Sequence, residues 1–193
     1  MKKLILLALM VAISSCKNDS NNTDTAELSD TTQVAEREFK VLDSKYIKKD
    51  SIWSQFNDEM EAFSEDRYHM ILPLVMDKTI PELQTSVKNG DFTYEELTKF
   101  YLHRIRQFDR NNSLSLNSVI SINPNIIDEA RKKDIAYQAG EKKHEIFGMP
   151  VLLKDNINTA DMPTTAGAAA LVNNRTTDAF IVERLKENGA LIL

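Results

Sequence analysis

The stretch Gly148–Gly167, "GMPVLLKDNINTADMPTTAG", decides how the rest of the chain is read. Gly148, Met149 and Pro150 make a turn, and Val151, Leu152 and Leu153 form an apolar run of strand length, expected to be buried on both faces. Lys154 and Asp155 follow at once. An ammonium group leaving an apolar strand end is costly unless it is solvated, paired or neutral. Lys154 therefore either snorkels to water or is placed there to accept a proton.

On the carboxyl-terminal side, "TTDAFIVERLKENG" predicts a helix with Asp178 as N-cap and Gly189 just past its end. The closing "ALIL" reads as the start of a buried strand. Ending there would leave an unpaired apolar sheet edge, an aggregation hazard, so the chain is expected to be the amino-terminal part of a longer protein, the alternative being a natural short product whose last strand pairs internally.

On the amino-terminal side, "LNSVISI" (116–122) alternates as a strand does, and "NPNIIDEARKKDIAYQAG" opens a helix at Asn123-Pro124 and closes it at Gly140. "TYEE" places Thr93 and Glu96 in a capping box, starting a helix to about Arg110 whose Leu97, Tyr101, Ile105 and Phe108 share a face. "TIPE" repeats the device with Thr79, Pro81 and Glu82, and Asn89-Gly90 ends that helix. Further back, Ile52, Phe56, Met60 and Phe63 recur at helical spacing, with Trp53 on a neighbouring face. "YHMILPLVM" holds Pro73, which interrupts a helix or a central strand alike, so its form stays open. Strands alternating with helices predict an α/β architecture with a mixed sheet.

The 193 residues suffice for one domain of ordinary size. A net charge of -5 with the two signs well mixed gives no basic stripe for nucleic acid. His69, His103 and His144 lie far apart and have no metal-ligand spacing, so neither a metal nor another cofactor is proposed.

The first residues have a different purpose. "MKKLILLALMVAISSC" has the basic start, the short apolar core from Leu4 to Ile13 and the small residues of an export signal. The core is too short for a permanent membrane span. Ile13-Ser14-Ser15-Cys16 resembles a bacterial lipobox, which implies that Cys16, the one cysteine, is lipidated and anchors the protein to the cell envelope, the outer membrane being the expected address. The run from Lys17 to Glu38 is rich in Asn, Asp, Ser and Thr and reads as a polar tether. The expected order is a lipoprotein signal peptide (1–15), a tether after the lipidated cysteine (16–38), a helical extension (39–78) and the main domain (79–193).

From about Thr79 to Leu193 the chain resembles the amidase signature family. The residues that carry the resemblance occur in the family's order: "IPELQTSVKNGDFTYEELTKFYLHRIRQFD", then "LNSVISINPNIIDEA", then "FGMPVLLKDNINTADMPTTAG", and finally "TDAFIVERLKENGALIL". Ala168 stands where the family often has serine after the glycine. The resemblance implies the amino-terminal portion of the amidase signature fold, an α/β fold with a mixed β-sheet flanked by helices.

It also implies a role for Lys154 as catalytic base of a Ser-cisSer-Lys triad. A serine hydroxyl must lose its proton to become a nucleophile, and lysine accepts one only when neutral, a state that burial beside Leu152 and Leu153 would favour. No serine of this chain matches the family's Gly/Ser-rich segment; Ser113, Ser115, Ser118 and Ser121 all precede the lysine. The 193 residues are thus expected to carry the base without the nucleophile and to be inactive alone. Asp155 and Asn156 are expected to satisfy backbone groups near the strand end rather than to react. Thr164, Thr165 and Gly167 are expected to shape the pocket loop. The implied protein is an exported, lipid-anchored hydrolase of a small amide or peptide amide. The alternatives are a non-catalytic lipoprotein serving as a remnant or binding module and, against the export signal, a glutaminase resembling the glutaminase component of the glutamyl-tRNA amidotransferase.

Overall fold

The computed structural model describes residues 52–109, 116, 118–142 and 144–193, all within one compact unit, Phe39–Leu193. Cys16 and the stretches expected to form the export signal, the polar tether and the start of the helical extension lie outside the described residues. A short 3-10 turn, Ser54–Phe56, leads into α1 (Asn57–Glu61) and α2 (Glu65–Val75). Then come α3 (Ile80–Asn89), α4 (Tyr94–Arg104) with a π turn at Ile105–Asp109, α5 (Ile126–Gln138), β1 (Pro150–Val151), α6 (Phe180–Glu187) and β2 (Leu191–Ile192).

Local chemistry explains most of these boundaries. The Glu82 carboxylate accepts from the N–H and the hydroxyl of Thr79, each at 2.7 Å, and α3 ends at Gly90 with φ 80°. At α4 the capping box is reciprocal: Thr93 Oγ1 accepts from the Glu96 N–H and Glu96 accepts from the Thr93 N–H, both at 3.1 Å. Pro73 lies inside α2, where the sequence left the form open; it sits in the last turn, where its ring nitrogen gives the His69 carbonyl no donor.

β1 and β2 pair in parallel, Pro150 with Leu191 and Val151 with Ile192. Alternation along β2 builds two layers. Leu191 and Leu193 enter the main core with Tyr94, Leu97, Phe100 and Ile126, whereas Ile192 joins Met162 and Val182 of α6. Helices thus cover both faces of a small sheet. Trp53, Phe56, Met60, Phe63, Tyr68 and Ile71 pack into the same main core. A charged cluster ties α1, α4 and α5 together, with Lys99 Nζ 2.6 Å from Glu95 and 3.2 Å from Glu59, and Arg131 paired to both carboxylates.

Among the described residues the sheet is a parallel pair, consistent with the amino-terminal portion of the expected α/β fold. Four expectations need correction. Residues 118–122 form no strand, because the Ser118 and Val119 N–H groups donate to the Asp109 carboxylate rather than to a neighbouring strand. The run Val151–Leu153 is not one doubly buried strand: the ladder stops at Val151, whose carbonyl accepts from Leu193, and Leu152 is 57% exposed. The helix from Tyr94 widens into the π turn, which carries Phe108 off its expected face to 44% exposure. Asp178 does not cap α6; Ala179 holds that position, while Asp178 accepts from the Ala160 N–H and from Lys186, both at 2.7 Å.

Candidate functional site

Lys154 opens onto a cleft of about 500 Å³. One wall runs from Ser118 to Ser121, another from Leu152 to Ile157, and Met162, Pro163, Ala166 and Gly167 bring the "MPTTAG" loop to the rim. The lining is mostly aliphatic around a few polar groups, the usual make-up of a small-molecule site.

Lys154 is exposed, in contrast to the burial expected of it. The reason is the early end of β1: Leu152 turns outward, and the Lys154 carbonyl accepts from the Ile157 N–H at 2.8 Å in a tight turn. The apolar cover foreseen from Leu152 and Leu153 is therefore absent on Lys154 within the described residues. Asn156, also on this turn, is exposed.

Asp155 has a definite task. Its carboxylate accepts from the Thr165 N–H at 2.9 Å, from the Thr165 hydroxyl and from the Gly167 N–H at 3.1 Å. Its own carbonyl takes the Ala166 N–H at 2.8 Å. Partial burial pushes the carboxyl up, but the Thr165 and Gly167 hydrogen bonds and the neighbouring Lys154 charge together hold it below the ordinary aspartate value. Asp155 thus clamps the loop that forms the cleft rim.

The loop turns sharply at the clamp. Ala166 and Gly167 have φ 49° and 77°, and the Ala168 N–H reaches the Thr165 carbonyl at 2.8 Å. Two successive left-handed residues closed by this bond make a type I′ turn. Gly167 adopts it freely, whereas Ala166 is held there at a cost of about 1 kcal/mol. Thr164 and Thr165 are both buried; the Thr164 backbone pairs with Asn174, and its hydroxyl meets no partner among the described residues.

Two supports escaped the sequence reading. Asn123, fully buried, donates from Nδ2 to the Ile192 carbonyl at 3.0 Å and accepts from the Asn125 N–H at 2.9 Å; its own N–H reaches the Leu193 carbonyl at 2.8 Å. "NP" was visible as a helix opener, but nothing local to it points to β2. Lys186 bridges Asp161 (2.6 Å) and Asp178 (2.7 Å), tying α6 to the segment between Lys154 and the rim. Among the described residues no group of His, Cys, Asp and Glu is arranged to hold a metal ion.

The family model for amidases matches residues 96–193, just over half of the chain. The chain belongs to the amidase family. An amidase family protein from Bacillus anthracis is 38% identical, with a TM-score of 0.70 over 76% of this chain and 29% of its own. The peptide amidase from Stenotrophomonas maltophilia is also 38% identical, with a TM-score of 0.59 over 61% of this chain and 24% of that one. Among curated relatives, a glutamyl-tRNA(Gln) amidotransferase component from Thermobifida fusca is 34% identical over 113 residues, 58% of this chain and 22% of the relative. The chain spans only 20% to 23% of the length of the first curated relatives it matches. What it displays is a partial α/β amidase fold, rich in helix around a small parallel sheet.

Proposed function

We propose that the chain is the lysine-bearing part of an amidase that hydrolyses the carbon–nitrogen bond of a small amide or peptide amide. The observation that carries this reading is Lys154 on the aliphatic cleft beside a clamped loop, within a chain of the amidase family. In the proposed mechanism Lys154 takes a proton from a bridging serine, which relays the demand to a nucleophilic serine. Neither serine is matched within the 193 residues. The nucleophile attacks the amide carbonyl, backbone N–H groups hold the oxyanion, an amine or ammonia leaves, and water releases the acid.

The exposure of Lys154 shapes this proposal. A lysine acts as a base only when neutral, so the desolvation it needs comes from groups outside the described residues or from bound substrate. Asp155, Thr164, Thr165 and Gly167 hold the rim, and Asn156 lines the cleft beside Lys154.

Export and anchoring through Cys16 complete the proposal. They rest on the leader and lipobox pattern, and they separate this protein from an amidotransferase component working on charged tRNA, the second reading favoured by the Thermobifida fusca relative. Release of ammonia or amine from a panel of small amides and C-terminal peptide amides, by the protein carrying its complete amidase domain, tests the activity. Turnover of one class is expected; no turnover across the panel favours the non-catalytic lipoprotein. Incorporation of labelled fatty acid that is lost in Cys16→Ala tests the anchor.

A further inference from the structure

Ser118, Val119, Leu152 and Leu193 line two hollows at once. One is the cleft of Lys154; the other, of about 390 Å³, lies behind it and is also bounded by Arg104, Phe108 and Asp109. The segment that begins at Ser118 is therefore, with Leu152 and Leu193, a partition between the cleft of Lys154 and the second hollow. Its far end is fixed by the Ser121 hydroxyl on Met162 Sδ at 3.6 Å and by Asn123 on β2. Its near end is gathered onto the Asp109 carboxylate. Asp109 accepts from the Ser118 N–H at 2.7 Å, the Ser118 hydroxyl at 2.6 Å and the Val119 N–H at 3.1 Å.

This is the same donor set that Asp155 gathers at the other rim of the cleft: two backbone N–H groups and one hydroxyl. Asp109 is 4% exposed and stands at the end of the π turn. At that turn Phe108 lies out at the surface, while Asp109, seven residues beyond the fully buried Leu102, faces the core. π turns interrupt helices where a side chain must be placed off the regular register, often at functional sites. Hydrogen bonds to an ionised acceptor are the strong ones, and a carboxylate with three of them holds the backbone in one place.

We infer that Asp109 is a positioning residue of the cleft, which fixes the Ser118–Val119 partition and so sets how large an acyl group the cleft admits beside Lys154. The inference deepens the amidase reading and rests on it for the substrate, whereas the partition itself does not. Without the carboxylate the two N–H groups lose their acceptor, the partition loosens, and the cleft and the second hollow merge into a larger space.

The deciding experiment is residue-resolved amide hydrogen exchange on the protein carrying its complete amidase domain and on its Asp109→Asn and Asp109→Glu variants. Ser118 and Val119 are expected to exchange at least about tenfold faster in Asp109→Asn, with Thr165 and Gly167 unchanged, and Asp109→Glu to recover part of the protection. Unchanged rates at Ser118 and Val119, or an equal rise throughout the chain, overturn the inference. Where Asp109→Asn does not fold, Ser118→Ala removes one of the three bonds and is expected to speed exchange at Ser118 and Val119 several-fold; no change overturns the inference equally. In the protein with its complete domain, Asp109→Asn is expected to shift the ratio of kcat/KM between a bulky-acyl and a small-acyl amide at least about fivefold. An unchanged ratio removes the role in specificity. Absence of turnover in the parent protein contradicts the amidase reading instead, so the two failures are distinguishable.

Discussion

Asp155 and Thr165, ten residues apart in sequence, are joined twice: the carboxylate accepts both the Thr165 N–H and the Thr165 hydroxyl. This pairing converts the residue after Lys154 into the anchor of the loop that rims the cleft. Asp155→Asn keeps the size but replaces one acceptor oxygen with a donor facing the Thr165 hydroxyl and Gly167 N–H. The expected loss is about 1–3 kcal/mol of loop stability, read as faster exchange at Thr165 and Gly167 with little change in the α4–α5 core.

The same pair has a pH signature. The folded-state pKa of Asp155 lies below the ordinary value, so its stabilising contribution is fully present above the ordinary aspartate range and is lost as pH falls through the depressed value. Loop protection at Thr165 and Gly167 is expected to hold down to about pH 4 and to fail below it. Asp155→Asn removes that acid transition at the loop. A loop that opens at higher pH in the parent would contradict the assignment.

His103 predicts a separate transition between α2 and α4. Its ring stacks on Tyr68 at 4.4 Å, and its Nε2 is buried, 3.3 Å from the Glu65 carboxylate without an aligned hydrogen bond. Burial lowers its pKa; Glu65 opposes that, and Arg106, His69 and Arg104 add to it. The neutral ring is thus the folded form, and its contribution is complete above the ordinary histidine value and lost as pH drops through the lowered one. Urea midpoints are expected to decline from about pH 7 to about pH 5, and His103→Phe, which keeps a stacking ring, to flatten that decline.

Gly148 has no room for a side chain. Its φ is 73°, and a Cβ there would lie 2.2 Å from Cδ1 of Tyr94, a fully buried ring whose hydroxyl donates to Gln84 at 2.7 Å. Gly148→Ala combines a left-handed backbone penalty with a clash against a fixed ring, and about 2–4 kcal/mol of destabilisation is expected by chemical denaturation.

Asn123→Ala removes the partner of the Ile192 carbonyl and of the Asn125 N–H at a fully buried position. About 3 kcal/mol is the expected loss, from unsatisfied groups rather than from the small cavity. Asn123→Asp, which keeps the acceptor but not the donor, is expected to recover the Asn125 contact and little of the stability.

These predictions follow where the sequence was legible and where it was not. Thr79 with Glu82, Thr93 with Glu96, and the glycines at positions 90, 140 and 189 act within one helical turn of their own position, so their roles could be read directly. The burial of "ALIL" was likewise visible in its unbroken apolar run. The supports of the cleft are different in kind. Asn123 meets β2 from 69 residues away, and Asp109 meets Ser118 across a stretch of chain that no helical or strand period links. "LNSVISI" has a strand's alternation, yet an acidic side chain took the donors a ladder would have used. Asp178 looked like a cap because caps are often acidic, but its carboxylate faces Ala160 and Lys186 instead. Lys154 was placed by its motif; its exposure depends on how early β1 ends, which no local pattern reports.

The most direct measurement is the rate of amide hydrolysis by the protein carrying its complete amidase domain, compared with Lys154→Ala, with the fold of both checked by thermal unfolding. If Lys154 is the base, turnover falls by a factor of about 10² to 10⁴ or more while the unfolding midpoint stays close to the parent value. Near-normal turnover in a folded Lys154→Ala protein would contradict the account.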